Sequence, residues 1–215
     1  MNLDDFEAHL NHIAPGFRCY ECGDRDEKLV FIARVDNRIR PAANASMLVL
    51  MEHLLGSVSE AMKPFYMKHD GVLMYDDRLE TKWSGGVFRS AGMKFFPVEN
   101  WEQTTQDMQD MLSDMGWKTD DTPNGMIRGV AFGEIPHSGN YFAVETEGTN
   151  VGKVFYIDHD DCQGEPIAQS FQEFLDSIVL DPVDFMNRHG CYTSYSDGIT
   201  DIQWIPQQYI ADLGT

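Results

Sequence analysis

The chain has 215 residues, of which 42% are hydrophobic and 12% aromatic, enough to build a packed core in one large domain. It carries 35 acidic against 16 basic side chains, a net charge of −19. Nonspecific nucleic-acid binding is therefore disfavoured, because phosphate contacts need clustered Lys and Arg. No apolar stretch approaches the roughly 20 residues of a membrane span, and the acidic start MNLDDFEAHL does not resemble a signal peptide. We therefore expect a cytoplasmic protein, whose acidity favours a basic protein partner.

The acidic excess is concentrated in the second half of the chain. Residues 1–27 have a net charge of −5, with 7 acidic and 2 basic side chains. Residues 28–98 have a net charge of +3, with 7 acidic and 10 basic side chains. Residues 99–215 have a net charge of −17, with 21 acidic and 4 basic side chains. If these segments occupy different faces, the protein has one strongly negative side; if folding mixes them, the charge serves solubility.

The first forty residues predict a helix followed by a β-hairpin. Apolar residues recur at helical spacing up to Ile13, and Pro15 with Gly16 then ends the helix. Residues 17–22 and 29–35 are rich in strand formers and flank a polar turn, which is typical of a hairpin.

Two helices and a strand are predicted next. A helical pattern begins at Pro41 and continues past Gly56, with Gly71 as a left-handed stop. Residues 72–75 are predicted as a strand, and residues 76–78 as a charged turn.

The second half predicts a helix, three strands and a closing helix. Apolar residues recur at i, i+3, i+4 and i+7 from Met108 to Met115, on a helix whose other faces are acidic. Three antiparallel strands are predicted next, at residues 127–132, 141–145 and 153–158. Ser170, followed three residues later by Glu173, predicts a capping box at the start of the last long helix. A short helix is expected from Asp181 to Asn187, and residues 191–215 have a less regular pattern.

The four cysteines do not form two matched pairs. Cys19 and Cys22 have the C-x-x-C spacing of zinc and redox sites, whereas Cys162 and Cys191 stand far apart. On a strand, two residues three apart point to opposite faces, so we expect reduced cysteines, with a zinc site as the alternative.

Two small clusters have the residue types of a metal or catalytic site. They are His69-Asp70 and residues 158–161 (DHDD). Neighbouring strand residues point to opposite faces, so a solvated turn at the end of a strand is the favoured interpretation of the second cluster. The sequence shows no phosphate-binding glycine loop and no recognised nucleophile motif, and we expect no cofactor and no catalytic residue.

Three ordered blocks resemble the SUKH superfamily, which includes Smi/Knr-type regulators and bacterial toxin-immunity proteins. The blocks are residues 65–72 (FYMKHDGV), residues 139–160 (GNYFAV followed by GKVFYIDHD) and residues 167–175 (IAQSFQEFL). The resemblance implies an α+β fold, with an antiparallel β-sheet covered by helices. We expect one domain over residues 1–215, with a SUKH-like core at about residues 45–180 and extensions at both ends.

The resemblance also implies a binding protein without catalytic activity. The leading hypothesis is an immunity protein that neutralises a cognate toxin, possibly a nuclease, whose basic cleft fits an acidic surface. The alternatives are a Smi/Knr-like regulator or scaffold that binds a housekeeping partner, and a metal-dependent hydrolase built on His69, Asp70, Asp158 and His159. The candidate partner-binding residues form one set. They are Asp107, Asp110, Asp114, Asp158, Asp160, Asp161, Trp83 and Trp101. For the two tryptophans, the core is the alternative role.

Overall fold

The computed structural model describes most of the chain. The described residues are 3–12, 17–22, 28–33, 35–80, 87–90, 92–116, 128–136, 138–160, 165–181, 184–185, 188–189, 192–194 and 201–206. The α-helices within them are α1 (Leu3–His12), α2 (Ala45–Leu55), α3 (Ser59–Tyr66), α4 (Trp101–Asp114) and α5 (Phe171–Leu180). The 3-10 helices Gly56–Val58 and Val98–Asn100 lead into α3 and α4. None of the helices in this part of the chain has the length and apolar character that a membrane span requires.

The strands form two antiparallel sheets. The first strands in chain order are β1 (Phe17–Cys22), β2 (Lys28–Ala33), β3 (Val35–Ile39), β4 (Val72–Glu80), β5 (Val87–Ser90) and β6 (Met93–Phe95). The later ones are β7 (Gly129–Ile135), β8 (Asn140–Glu145), β9 (Val154–Ile157), β10 (Tyr192–Ser194) and β11 (Asp201–Pro206). The larger sheet has the order β3-β4-β6-β7-β8-β9, and β5 extends β6 along the same edge of β4. The smaller sheet has the order β10-β11-β1-β2. The predicted α+β fold is confirmed.

Helices cover both faces of the larger sheet, because its strands alternate apolar side chains between the two faces. On one face an aromatic core joins the sheet to α1, α3 and α5. Phe95 lies within it, with ring centroids 5.8 Å from Phe65, 5.7 Å from Phe132 and 5.8 Å from Phe174. On the other face α4 packs over β7, β8 and β9 through a second, smaller apolar cluster that contains Met108.

The caps and ends of the helices agree in part with the sequence pattern. The predicted Ser170 cap is confirmed, since its Oγ accepts the Glu173 N–H at 3.1 Å. The Glu173 carboxylate returns to the N–H of Gln169 at 3.0 Å, which completes the capping. The predicted start of α2 at Pro41 was wrong. The helix begins after Asn44, whose side chain caps it, because Pro41 instead accepts a hydrogen bond from the Asp70 N–H at 2.8 Å.

Gly71 enters a strand and does not end a helix, so that prediction was wrong as well. The helix α3 ends at Tyr66, and Gly71 follows with a φ of +93° immediately before β4. A Cβ at this position would lie 2.7 Å from the carbonyl oxygen of Phe95 on the neighbouring strand. Glycine is therefore required both by the backbone conformation and by the close approach of β6.

Two further segments differ from the sequence pattern. Residues 76–78, predicted as a turn, lie inside β4, which is paired there with β3 on one side and β5 on the other. Residues 191–215, which have no clear periodicity, contain β10 and β11, and β11 pairs with β1 in the smaller sheet. Tertiary pairing decides both segments, because strand preference depends strongly on neighbouring strands. Cys19 and Cys22 both lie on β1, but the structure does not describe their side chains, so the zinc-site alternative stays open. Cys162 and Cys191 lie outside the described residues.

A buried carboxylate lies under the loop between β8 and β9. The Glu145 side chain is 1% exposed, and neither of its oxygens has a well-formed hydrogen bond within the described structure. Gly148 passes so close that a Cβ there would lie 2.6 Å from Glu145 Oε1. Burial raises the pKa of the Glu145 carboxyl, and the nearby Asn150, Lys153 and Arg128 oppose this shift. The charged form is therefore held at a cost to folding.

We expect Glu145→Gln to raise the free energy of unfolding at pH 7 by about 1 kcal/mol, because it removes a buried charge whose cost of burial its neighbours only partly offset. Because the pKa of Glu145 is raised on folding, the native state binds the proton more tightly than the unfolded chain does. The free energy of unfolding of the native protein therefore falls as the pH rises through the folded pKa of Glu145. Below about pH 4 both states are protonated and the gain should vanish. Urea unfolding at pH 7 and pH 4 measures it, with Glu147→Gln in the same exposed loop as the control. An equal gain at both pH values would contradict this account.

Candidate partner-binding face

One row of side chains crosses the whole larger sheet on the face that α4 partly covers. The strand register aligns six residues from β3 to β9. They are Arg38, Leu73, Lys94, Glu134, Tyr141 and Ile157. Directly paired residues point to the same side of a sheet, and neighbouring strands lie about 4.8 Å apart. We call these six residues the central row.

The central row changes the sign of its charge along its length. Arg38 and Lys94 lie on strands from the basic segment 28–98, whereas Glu134 lies on β7, within the acidic segment 99–215. The Lys94 ammonium and the Glu134 carboxylate meet at 2.8 Å where the two halves join. On this face, the basic segment 28–98 and the acidic segment 99–215 therefore contribute two neighbouring halves of one surface.

The helix α4 covers the acidic half of the face. Its buried Met108 and Leu112 pack against Ala131 and Ile157 of the sheet. A β-bulge in β7 after Ala131 interrupts the regular strand pairing there, and side chains of α4 form hydrogen bonds with the Ala131 backbone. The Thr105 Oγ1 accepts the Ala131 N–H at 3.0 Å, and the Thr104 Oγ1 lies 3.3 Å from the Ala131 carbonyl oxygen. The helix is therefore fixed in position by both apolar and polar contacts.

The outer surface of α4 carries exposed carboxylates that do not serve helix stability. Asp107, Asp110 and Asp114 are all exposed, and the helix contains no Lys or Arg. Carboxylates near the carboxyl end of a helix oppose its dipole, typically by about 0.3–1 kcal/mol each. Gln103 and Gln106 donate hydrogen bonds to Asp107 and Asp110 at 2.8 Å and 2.7 Å. These pairs hold the side chains in place without neutralising them.

Tyr141 is the member of the central row that feels the charge of the α4 carboxylate Asp107. It is half-buried, and burial raises the pKa of its hydroxyl, with further contributions from Asp107 and Glu134. Tyrosine at the centre of a charged rim is a side chain that often dominates binding energy. The sequence interpretation used Tyr141 only as a hairpin residue. Its alternation with buried Phe142 is the signal that places it on the α4 face.

An acidic turn follows β9 beside the same residues. Tyr141 pairs with Ile157, and Asp158 comes next in the chain. The Asn140 Oδ1 accepts the His159 N–H at 3.0 Å and lies 2.7 Å from the His159 Nδ1. Asp158 accepts the N–H of Asp160 at 2.9 Å. The predicted turn at the end of the strand is therefore present, and it lies at the end of the strand that α4 covers.

The other predicted residues have different positions. Trp83 and Asp161 lie outside the described residues. Trp101 is fully buried, so it has the core role that was its alternative and supplies no surface anchor. Asp158, His159 and Asp160 offer possible metal-ligand atoms that lie within 4.8 Å of one another, on a turn whose own hydrogen bonds already account for its shape.

The four residues of the hydrolase alternative do not converge. The His69 Nε2 lies 3.2 Å from Glu7 of α1, and the Asp70 Oδ1 accepts the Val98 N–H at 2.9 Å. Asp70 lies two positions before the start of β4, whereas Asp158 directly follows β9, and these strands are four positions apart in the sheet. At about 4.8 Å for each strand this is roughly 19 Å, too far for one catalytic centre.

The basic half of the face is an open groove that sequence reasoning missed. The groove has a volume of about 290 Å³, and its lining includes Arg38, Arg40, Leu73, Lys94 and Pro97. Arg40 lies 3.2 Å from Glu99, a pair in which both side chains are about half exposed. The only sequence signal for this site is the positive balance of residues 28–98, since register and not spacing brings these side chains together.

Comparison with known protein families found a match over the middle of the chain. A family model described as SMI1 / KNR4 family (SUKH-1) matches residues 43–177, more than half of the chain. The match starts just before α2 and ends within α5, so the smaller sheet, α1 and β3 fall outside it. No curated protein matches the chain in sequence.

Proposed function

Because the chain belongs to the SMI1 / KNR4 family (SUKH-1), we propose that it is a non-catalytic binding protein, an immunity protein that binds and neutralises a cognate toxin domain. The observation that carries the proposal is the acidic half of the central-row face. There the exposed carboxylates of α4, the partly buried Asp158 and the exposed Asp160 lie at the same part of the sheet, around Tyr141. A toxin that cuts nucleic acid has a basic cleft, which this surface matches in charge.

The same geometry supports a mode of action by charge attraction. Exposed carboxylates on a rigid helix attract a basic partner before contact and speed association. The half-buried Tyr141 then provides an apolar and hydrogen-bonding contact inside the charged rim. Occupation of a basic cleft blocks access of the toxin's own substrate, and inhibition of this kind requires no chemical step from the immunity protein.

A second candidate is a Smi/Knr-like regulator or scaffold that binds a housekeeping partner. The name of the matched family favours it, since that family is described by its SMI1 / KNR4 members. Affinity capture discriminates between the two. The purified protein is immobilised, lysate of the source cells is passed over it at low salt, and the retained proteins are eluted with salt and identified. Retention of a basic toxin domain supports immunity, and retention of a housekeeping protein supports the regulator.

We expect reversal of the α4 charges to slow association with the retained basic partner. Asp107→Lys, Asp110→Lys and Asp114→Lys combined should lower the association rate at least about tenfold at low salt, because the steering field at the contact is inverted. The difference should shrink as salt is added. Stopped-flow mixing or surface plasmon resonance measures the rate.

The matched control changes the net charge equally at other exposed acids. Glu60→Lys, Glu147→Lys and Glu165→Lys combined reverse three exposed carboxylates that do not belong to α4. This variant should slow association by much less. Equal slowing by both variants would show that only the net charge matters, and an unchanged rate in the α4 variant would remove the helix from the interface.

A further inference from the structure

The groove in the basic half of the face has a composition that the acidic surface does not explain. Three of its lining residues are cations, in a chain whose net charge is −19. Arg38 and Lys94 stand on either side of Leu73 in the central row, so they are two strand spacings, about 10 Å, apart. A cation, an apolar residue and a cation therefore follow one another across the open part of the sheet.

The cations are available to a ligand although they have partners. The Arg40–Glu99 pair is about half exposed on both sides, and the Lys94–Glu134 pair lies at the border of the groove. An exposed ion pair such as Arg40–Glu99 contributes about 0–1 kcal/mol, so a carboxylate from a ligand can displace or join Glu99 at small cost. Lys94 keeps about a third of its side chain exposed beside Glu134, so a ligand carboxylate can join that pair. The Lys94 ammonium also lies 4.7 Å from the centroid of the Phe96 ring, which keeps its stem against the sheet.

We propose that this groove binds an acidic segment of the protein partner, with one carboxylate at Arg38 and Arg40, an apolar side chain on Leu73, and a second carboxylate at Lys94. This inference rests on the proposed function and names a second contact of the same partner. Charge complementarity favours this occupant. The groove presents a cation, an apolar residue and a second cation in order, and the segment presents a carboxylate, an apolar side chain and a second carboxylate in the same order. Three cations on so acidic a protein do not suit a nucleic-acid backbone, which needs many more.

The groove also sets the orientation in which a partner can bind to the face. The central row, which spans six strands, has a basic half and an acidic half. A partner with one acidic and one basic part can therefore place opposite charges together in only one orientation. Opposite charges arranged in this way fix the register of a complex, because the reversed orientation places like charges together. Arg38 and Arg40 precede the residues that match the family, whereas Leu73 and Lys94 lie within them. The groove is thus assembled jointly by the family core and the segment that precedes it.

A synthetic peptide tests the groove without the partner. In an extended peptide every second side chain lies on one face, so Asp-Ser-Leu-Ser-Asp presents a carboxylate, an apolar group and a carboxylate in the required order. The peptide, blocked at both ends, is titrated into the ¹⁵N-labelled full chain. We expect saturable shifts of the Leu73 and Lys94 amide signals. The proposal is overturned if these signals do not move at millimolar peptide, or if peptides with Leu replaced by Ser or with Asp replaced by Lys bind equally well.

Variants assign the binding to the cations. Arg38→Glu with Arg40→Glu should weaken peptide binding at least tenfold, and Lys94→Met, which keeps an unbranched stem on Phe96, should weaken it severalfold. Arg188→Glu is the matched control, because Arg188 also forms an exposed ion pair, with Asp184 at 2.8 Å, and should leave the affinity within twofold. Equal binding by all variants, or tighter binding of a thymidine oligonucleotide than of the peptide at the same residues, would refute the assignment. Since no partner is needed, failure here leaves the capture experiment of the proposed function unaffected.

Discussion

Trp101→Ala should lower the free energy of unfolding by about 3–5 kcal/mol, the range for removal of a large buried aromatic side chain. Trp101 is fully buried at the start of α4, and its ring meets the Tyr66 ring edge-on, with centroids 4.9 Å apart. Its Nε1–H and the Tyr66 hydroxyl both donate to the carbonyl oxygen of Phe96, at 3.2 Å and 3.3 Å. The substitution therefore removes packing and a buried hydrogen bond at one point.

A second, milder substitution tests whether Trp101 contributes to partner binding only through its packing in the core. Trp101→Phe keeps most of the packing and loses the indole N–H, so it should cost less, about 1–2 kcal/mol. Chemical denaturation gives both values, and partner affinity is measured at a temperature where each variant is folded. If Trp101→Phe weakened partner binding strongly while the fold stayed intact, the placement of Trp101 in the core would not account for its role.

The position of α4 depends on this packing, which connects the core to the proposed interface. The helix starts at Trp101, crosses the bulge at Ala131 and then presents Asp107, Asp110 and Asp114. A loss of order at its first turn would move those carboxylates relative to Tyr141. We therefore expect destabilised Trp101 variants also to associate more slowly with a basic partner, in proportion to the fraction that is unfolded.

Local sequence signals predicted the parts of the fold that depend on neighbours in the chain. The Ser170 cap, the apolar stripe with Met108 and Leu112, and the hairpin of β1 and β2 are each determined within about a dozen residues. The exposed acids of α4 followed from the same stripe, since residues opposite an apolar stripe face water. The candidate acidic surface was therefore accessible from the sequence alone.

Long-range register was not accessible in this way. Arg38, Leu73 and Lys94 are separated by 35 and 21 positions in the chain, and only strand pairing brings them into one row. A shift of one residue in any of these strands would place its side chain on the opposite face. The pairing of β11 with β1 and the extension of β4 through residues 76–78 depend on the same kind of distant contact. The groove and the polarity of the face are consequently results of the tertiary structure.

Acid should destabilise this protein partly through one buried histidine. His189 is 6% exposed and lies among aromatic rings, with centroids 4.5 Å from Phe185 and 4.9 Å from Tyr156. Burial, assisted by the charge of Arg188 and opposed by that of Asp184, lowers the pKa of His189 from 6.5 to about 4. The Tyr156 hydroxyl, which donates to the His189 carbonyl oxygen, also accepts from the Asn140 side chain at 2.6 Å. Because Asn140 holds His159, this network reaches the acidic turn.

The sign of the effect follows from the two protonation states. Between pH 6.5 and pH 4 the unfolded chain carries a proton on His189 that the native state does not, so stability falls as the pH falls through this window. The slope is about 1.4 kcal/mol for each pH unit, and the full loss is about 3 kcal/mol. Other carboxylates titrate nearby, so the measurement is a difference: urea unfolding of the native protein and of His189→Phe from pH 7 to pH 4. Between pH 7 and pH 4 the free energy of unfolding of the native protein should fall by about 3 kcal/mol more than that of the variant. If the two free energies fell equally with pH, burial would not lower the pKa of His189 as proposed.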